Sequence, residues 1–221
     1  MFAETRRSFD LARTLTDAYD PDTVTKVKES EDLVDGYENQ ICNYLLALSR
    51  RTLSERESQT LSVLLHTVSD IETISDQVCN IAIAYKNLDN KKGVFSDDAI
   101  EELRVQENAL TNLLDNTVDM FEKHTVQEVY ACYQVMEELM GSVKERHVKR
   151  LLNGECTVEL GMVLNDIVNS YERMAGRCMK IANYLSQAGQ EELEIHDHEH
   201  LMAISDYQEL YQKYRQKYSL T

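Results

Sequence analysis

The fold is decided by two stretches of the chain, DIETISDQVCNIA at residues 70–82 and SYERMAGRCMKIA at residues 170–182. Glu72 and Glu172 hold the same place in these stretches, 100 residues apart, and both stretches end on Ile-Ala at that same offset. Self-similarity at a fixed spacing is the mark of an internal repeat. The chain is therefore predicted to contain two copies of one structural unit.

Each unit is predicted to consist of three long helices. Apolar residues recur at spacings of three and four, which is the pattern of an amphipathic helix. The chain has one Pro and seven Gly in 221 residues, so it lacks the turn residues that a sheet of many strands requires. In the helix that contains residues 70–82, the apolar stripe is Leu61, Leu64, Val68, Ile71, Ile74, Val78, Ile81 and Tyr85.

Capping residues and breakers predict where the helices start and end. The first helix is predicted over residues 3–19, and the second runs to about Ser49 with Tyr37 and Tyr44 on its apolar stripe. The fourth helix carries Phe121 on its stripe, and Gly189 ends the sixth. The starts of the second to sixth helices are marked in order by Asp20-Pro21, the capping box Ser54/Glu57, Ser96, the capping box Thr125/Glu128 and Thr157.

Short connections between long helices indicate antiparallel neighbours and therefore bundles. We predict an all-α fold of two tandem three-helix bundles with pseudo-twofold symmetry, covering residues 1–92 and 93–189. Residues 190–221 are predicted to form a polar connector and a short tail helix. We expect the tail to pack on the chain's own bundle rather than on a partner or a membrane, through Tyr207, Tyr211, Tyr214 and Tyr218.

Charge and composition exclude several classes of protein. The chain has 39 acidic and 23 basic residues, a net charge of −16, whereas nucleic-acid binding requires a basic face. No apolar run approaches the roughly 18–20 residues that a membrane-spanning helix needs, and no secretory signal follows Met1. The five Cys are odd in number and form no C-x-x-C pair, as is typical of reduced thiols. These features predict a cytoplasmic protein.

Two pairs of carboxylates stand out as a candidate metal site. Glu31 and Asp35 lie four residues apart on the second helix, and Glu72 and Asp76 do so on the third. Side chains four apart leave the same face of a helix, so packing of the two helices would bring four carboxylates together. Hard cations such as Mg²⁺, Mn²⁺ and Fe³⁺ prefer these oxygen ligands. A solvated acidic surface is the alternative, because acidic helices produce such pairs by chance.

The second unit lacks the equivalent set. Its counterparts are Glu137 with Gly141 and Glu172 with Gly176, so both Asp positions hold Gly. A paired loss is expected if the two Asp serve a single site. Two independent chance changes would produce the same pattern, so a solvated acidic surface stays the alternative.

The chain shows no sign of catalysis. Glu-x-x-His, which a ferritin-like di-iron bundle requires, does not occur, and neither a Gly-rich phosphate loop nor a G-x-S-x-G elbow is present. Three His alternate in the acidic connector, where solvent exposure is favoured over metal binding: His196, His198 and His200. Three Cys lie in apolar helical segments and are predicted to be core residues: Cys79, Cys132 and Cys178. We expect a protein that is not an enzyme.

Residues 70–82 resemble the signature of PhoU, the phosphate-uptake regulator family of paired three-helix bundles. Glu31-x-x-x-Asp35 resembles the acidic motif of the preceding PhoU helix. Residues 145–185, together with the ending at 211–218, resemble the cytosolic C-terminal PhoU-like domain of bacterial sodium/phosphate cotransporters. The resemblance implies a metal ion or cluster, of iron, zinc, manganese or magnesium, bound by Glu31, Asp35, Glu72 and Asp76.

The resemblance also implies a function. It favours a non-enzymatic regulatory domain for phosphate uptake at the inner face of the cell membrane, resembling the cytosolic part of a sodium-dependent phosphate transporter. The expected partner is the membrane half of that transporter or a phosphate-signalling protein, and a homodimer is compatible with it. The first alternative is a free-standing PhoU-type regulator acting in trans on a transporter or sensor kinase. A metal-buffering bundle is the second alternative, which the loss of the second site disfavours.

Overall fold

The computed structural model describes residues 1–123, 126–189 and 205–220. These residues form helices and their connections, and no strand occurs among them. The all-α prediction is confirmed. The α-helices are α1 (Phe2–Arg13), α2 (Pro21–Ser49), α3 (Glu55–Asn90), α4 (Asp97–Lys123), α5 (Gln127–Leu152), α6 (Val158–Gly189) and α7 (Ser205–Lys217).

The helices form two bundles of three, as the repeat predicts. Helices α1, α2 and α3 contact one another, and so do α4, α5 and α6. The bundles join where α3 packs along α6. These two helices are antiparallel, since Arg177 pairs with Asp70 while Tyr184 stacks on His66. The limits at residues 92 and 93 stay a prediction.

Four of the five predicted caps are present in the structure. The hydroxyls of Ser96 and Thr157 accept the backbone N–H groups of Ala99 and Leu160, each at 3.3 Å. Both carboxylate oxygens of Asp20 accept hydrogen bonds, from the backbone N–H groups of Asp22 and Thr23, and fix the start of α2. Ser54 and Glu57 form the predicted capping box at the start of α3. Helix α5 begins one residue later than predicted, with Val126 as its N-cap. Thr125 lies outside the described residues.

The first helix is shorter than predicted. Helix α1 ends at Arg13, and a 3₁₀ turn, Thr14–Thr16, follows it. The hydroxyl of Thr16 is buried, where it hydrogen-bonds to the Tyr85 hydroxyl at 2.6 Å and to the carboxylate of Glu107. These tertiary contacts draw the chain towards the core, and local apolar spacing carries no sign of them.

The apolar stripes of α2, α3 and α4 extend further than the core that they build. Tyr37, Tyr44 and Leu64 belong to the predicted stripes of α2 and α3, yet 38%, 65% and 40% of their surfaces are exposed. Phe121, in the last turns of α4, is 38% exposed. An apolar stripe identifies one face of a helix, and it does not show how far a neighbouring helix reaches along that face.

The tail helix α7 lies on α5, which confirms its predicted packing on the chain's own bundle. Three tail tyrosines are buried, and each of Tyr207, Tyr211 and Tyr214 hydrogen-bonds to that bundle. Tyr207, for example, donates to the Gln134 side chain at 2.6 Å. The three alternating His lie outside the described residues. Within the described part of the chain, no helix is both long and apolar enough to span a bilayer.

Candidate metal site

Helices α2 and α3 bring the predicted carboxylates together. Glu31, Asp35 and Asp76 each offer an oxygen atom, and these three oxygens all lie within 4.8 Å of one another. Ligand oxygens about 2.0–2.6 Å from one hard cation have separations of this size. All three side chains are half-buried. The geometry therefore accommodates one ion between the two helices.

Glu72, the fourth predicted ligand, lies beside this group. Its carboxyl shares a hydrogen bond with Asp76. Burial first, and then the negative charges of Asp76, Glu38 and Asp35, raise the pKa of Glu72 to about 7. Near neutral pH this carboxyl is thus divided between its protonated and ionised forms.

Glu38 is a fifth member of the cluster, and the search for pairs four apart missed it. It lies seven residues beyond Glu31 and three beyond Asp35, on the same face of α2. Burial and the charges of Asp35 and Asp76 raise its pKa. A search for the i, i+4, i+7 pattern would have found it from the sequence.

Little of the negative charge of this cluster is offset by the described residues. The charge of Lys28 opposes the rise in the pKa of Glu31, but burial and the charges of the neighbouring acids outweigh it. Among the residues that the structure describes, no Lys or Arg forms a salt bridge with any of the five carboxylates. One oxygen of Asp35, Oδ1, is buried without a hydrogen-bond partner. Buried polar atoms are normally paired, so this oxygen and its neighbours fit a bound cation.

The second bundle supplies a cation of its own at the equivalent place. Lys144 lies seven residues beyond Glu137, as Glu38 does beyond Glu31. Its Nζ is 2.5 Å from the carboxylate of Glu172, the counterpart of Glu72. The Glu–Glu neighbours of the first unit are therefore a Lys–Glu ion pair in the second.

Proteins of known structure share the fold that carries this carboxylate cluster. A family model described as the PhoU domain matches residues 1–84. The fold matches the crystal structure of PhoU from Pseudomonas aeruginosa with a TM-score of 0.76, at 17% identity over 85% of this chain and 91% of that chain. The fold of the described chain is thus PhoU-like, and residues 1–84 match the PhoU domain in sequence.

A second solved structure has the same fold. It is the phosphate transport system regulatory protein PhoU from Streptococcus pneumoniae, with a TM-score of 0.63 and 14% identity over 87% of this chain and 97% of that chain. No curated protein matches the chain in sequence. The matched PhoU segment, residues 1–84, contains all five carboxylates.

Two thiols flank the carboxylates of the PhoU segment. Cys79 and Cys42 are both half-buried. Burial is the main cause that raises the pKa of each thiol, and the nearby charges of Glu31 and Glu38 raise it further. The three ligand atoms that lie within 4.8 Å of one another all belong to carboxylates, Glu31, Asp35 and Asp76. Cys79 is less buried than predicted, whereas Cys132 and Cys178 are core residues.

A buried carboxyl at the junction of the bundles escaped the sequence analysis. Glu107 on α4 is 2% exposed and accepts hydrogen bonds from the hydroxyls of Thr16 and, at 2.9 Å, Tyr171. Burial raises its pKa to about 7, against the lowering effect of these hydrogen bonds. This network joins α4, α6 and the 3₁₀ turn, and it lies apart from the metal site.

Several residues in the stretch 145–185 contribute to the packing and turns of the second bundle. Arg150 is buried and donates two hydrogen bonds to Glu102, each 2.7 Å long. A Cβ at Gly161 would lie 2.8 Å from the ring of His147, so a larger residue there would require this ring to move. Gly154 takes a φ of 72° in the turn between them. These contacts account for several of the residues in this stretch as packing requirements.

Proposed function

We propose that this chain is a non-enzymatic regulator of phosphate uptake whose first bundle holds a metal ion or small metal cluster. Glu31 and Asp35 from α2 and Glu72 and Asp76 from α3 would bind it, with Glu38 completing the set. The PhoU-domain match over the residues that form this cluster supports the role. So does the shared fold with a protein described as a phosphate transport system regulatory protein.

One observation carries the metal proposal. The position that Lys144 occupies beside Glu172 in the second bundle is an acid, Glu38, beside Glu72 in the first. Like charges this close destabilise a fold unless protons or cations offset them. Carboxylate oxygens favour iron, manganese or magnesium, and zinc is also compatible with them.

The carboxylate cluster also provides a mechanism by which binding to a partner can be regulated. Its carboxylates come from two helices, so their mutual repulsion pushes α2 and α3 apart, and neutralising them draws the helices together. Both helices belong to the first bundle, and α3 also forms the contact with the second bundle through α6. A change in the charge of the cluster can therefore alter the face that the two bundles present to a partner.

The proposed regulatory role requires a partner protein. We infer that the chain acts on the membrane half of a sodium-dependent phosphate transporter, at the inner face of the cell membrane. The resemblance of residues 145–185 and 211–218 to cotransporter domains supports this. A free-standing regulator acting in trans on a transporter or sensor kinase is the alternative, and it is favoured if the reading frame upstream of Met1 encodes no hydrophobic half.

The first experiment is elemental analysis of protein purified without added metal or an affinity tag. It compares the parent with a variant carrying Glu31→Gln, Asp35→Asn, Glu72→Gln and Asp76→Asn. The matched control carries Glu137→Gln and Glu172→Gln, the counterparts in the second bundle. We expect metal in the parent and the control, and none in the fourfold variant with its helical circular dichroism unchanged.

Other outcomes have definite meanings. Absence of metal from all three proteins after reconstitution with iron, zinc and manganese would show that the carboxylates are a solvated surface. Loading with many ions per chain would instead support a metal-buffering bundle. The regulatory role is tested separately by uptake of radiolabelled phosphate in cells that carry the parent or the fourfold variant. Equal uptake with and without the protein would contradict that role.

A further inference from the structure

Helices α3 and α6 border a groove on one half of their shared contact, and we call it the amide groove. Its volume is about 240 Å³. It lies well away from the carboxyl end of α6, because Arg173, at its nearer end, is 16 residues before Gly189, or about 24 Å. Six polar side chains line it: Gln77, Asn80, Asn87, Asp166, Asn169 and Arg173.

These six side chains have no partners in the described part of the chain. None of them forms a hydrogen bond or an ion pair with another residue that the structure describes. Gln77 is only 6% exposed, and buried amides are normally hydrogen-bonded. The four carboxamides, one guanidinium and one carboxylate of the groove are therefore available to a ligand.

The repeat provides a comparison for this groove. Because α3 and α6 are equivalent helices that pack antiparallel, a shift of 100 residues leads to the other half of the same contact. Gln77 and Ser170, which both line the groove, correspond there to Arg177 and Asp70. These two residues form an ion pair at 2.6 Å, so the polar groups of that half satisfy each other.

The other half of the contact is also filled by an aromatic ring. Tyr184 stacks on His66 there, with 5.2 Å between the ring centroids. Their counterparts in the groove are Ala84 and Asp166, which are much smaller. The chain closes one half of the contact with its own side chains and leaves the other half open. The opening follows from particular substitutions between the repeats and is not a general consequence of packing these two helices.

The chemistry of the lining restricts the ligand. A carboxamide both donates and accepts hydrogen bonds, so four of them suit a molecule that alternates donors with acceptors, as a peptide backbone does. The charges of Asp166 and Arg173 cancel, which disfavours a phosphate dianion in this acidic chain. The lining described above contains no aromatic ring on which a nucleobase could stack.

The spacing of the two charges gives the length of the ligand. Asp166 and Arg173 lie seven residues apart on α6, which corresponds to about 10.5 Å along the helix. An extended peptide rises about 3.3 Å per residue, so about three residues span this distance. A ligand of that length can present a cationic group to Asp166 and an anionic group to Arg173.

We propose that the amide groove binds a short extended peptide of about three residues, with its cationic end at Asp166 and its anionic end at Arg173. Its backbone N–H groups donate to the carboxamide oxygens, and its carbonyls accept from the carboxamide N–H groups. A free zwitterionic tripeptide has this chemistry, and so has a protein segment with Lys and Glu side chains in place of the charged termini. The inference does not depend on the proposed role in phosphate uptake.

Nuclear magnetic resonance of the ¹⁵N-labelled chain tests the proposal, because the side-chain NH₂ groups of Asn and Gln give signals of their own. The probes are Ala-Ala-Ala for a free peptide and N-acetyl-Lys-Ala-Glu-amide for a protein segment. We expect at least one probe to shift the signals of Gln77, Asn80, Asn87 and Asn169. Asn165 is exposed on the same helix but does not line the groove, and its signal should stay in place.

Variants measure how much the groove contributes to binding. Asn80→Leu and Arg173→Gln change exposed side chains, so the circular dichroism of the parent should be kept. Each should raise the dissociation constant of the bound probe about three- to tenfold, the effect of one lost hydrogen bond. Asn165→Leu and Lys180→Gln are the matched controls on exposed positions of α6, and both should bind as the parent does. Ala84→Tyr, which copies Tyr184, should abolish binding.

The two probes distinguish the sources of the peptide. Binding of Ala-Ala-Ala alone would assign the groove to a free peptide, and binding of the capped peptide alone would assign it to a segment of a partner protein. Three results would overturn the proposal. One is the absence of shifts with both probes, and another is equal weakening by Asn80→Leu and Asn165→Leu. The third is binding of inorganic phosphate or AMP, lost in Arg173→Gln, without binding of either peptide.

Discussion

Glu107 is the residue at which protonation and folding are most directly linked. Its pKa is about 7 in the folded chain because of burial, against 4.5 for an ordinary Glu. The folded state therefore binds the proton more tightly than the unfolded state. The stability that this proton contributes is fully present below pH 4.5 and is lost as pH rises through about 7.

We expect Glu107→Gln to remove this pH dependence, because its amide cannot ionise. The variant should gain about 3 kcal/mol of unfolding free energy over the parent at pH 8, and only about 1 kcal/mol at pH 5. Urea denaturation at the two pH values measures the difference. Glu101→Gln, on the exposed side of the same helix, is the control and should follow the parent at both. A parent and a Glu107→Gln variant with parallel pH profiles would contradict the assignment.

The ion pair of Glu102 and Arg150 is a second test at the scale of residues. Both side chains are buried, so removing Arg150 leaves Glu102 with the more exposed and more distant Arg146, 3.9 Å away, as its charged neighbour. Arg150→Met should cost about 3–5 kcal/mol of unfolding free energy, and Glu102→Leu in the same chain should recover much of it. Arg104→Met breaks an exposed pair with Asp17 and should cost under about 1 kcal/mol. Equal losses for the two Arg variants in chemical denaturation would refute the distinction.

At the scale of helices, the backbone just after the end of α3 is slightly strained. Lys92 has a φ of 52°, in the left-handed region, while the N–H of Gly93 bonds back to the carbonyl of Leu88. Left-handed backbone is unfavourable for a residue with a Cβ. Lys92→Gly should therefore raise the unfolding free energy by about 0.5–1 kcal/mol in urea titrations. Lys91→Gly, at a right-handed φ of −85°, should lower it, and a gain at both positions would argue against strain.

The starts of α2 and α3 could be predicted from the sequence, whereas the end of α1 could not. The start of α2 follows from Asp20 and that of α3 from Ser54, because caps are local chemistry. Carboxylates four apart could be placed on one face, and the pairing of α2 with α3 brought them together. The end of α1 was missed, since Thr16 is held by Glu107, 91 residues away. Contacts of that range depend on how whole helices pack, which apolar spacing does not specify.

At the scale of the whole molecule, the repeat is symmetric in fold and asymmetric in charge. Both bundles place acids on matching helices, but the second has lost two Asp and gained Lys144. One copy is thus internally neutralised, and the other keeps a repulsive cluster. Strain of this kind is characteristic of functional sites, where stability is given up for binding.

This asymmetry predicts opposite effects of metal and of mutation on the stability of the whole chain. Without metal, the variant that neutralises Glu31, Asp35, Glu72 and Asp76 should be more stable than the parent, because like charges no longer face one another. With Mn²⁺ added, the melting temperature of the parent should rise with metal concentration while that of the variant stays constant, since a ligand that binds only the folded state stabilises it. At 100 times the dissociation constant the gain is about 2.7 kcal/mol.

The second bundle provides the control for that experiment. A chain with Glu137→Gln and Glu172→Gln loses the partner of Lys144, so it should be slightly less stable than the parent without metal and respond to Mn²⁺ in full. Thermal unfolding followed by circular dichroism measures all three proteins under the same conditions. If neutralising the first bundle destabilised the metal-free chain, its carboxylates would be holding α2 and α3 together through hydrogen bonds. The charge asymmetry between the two bundles would then be no sign of a cation site.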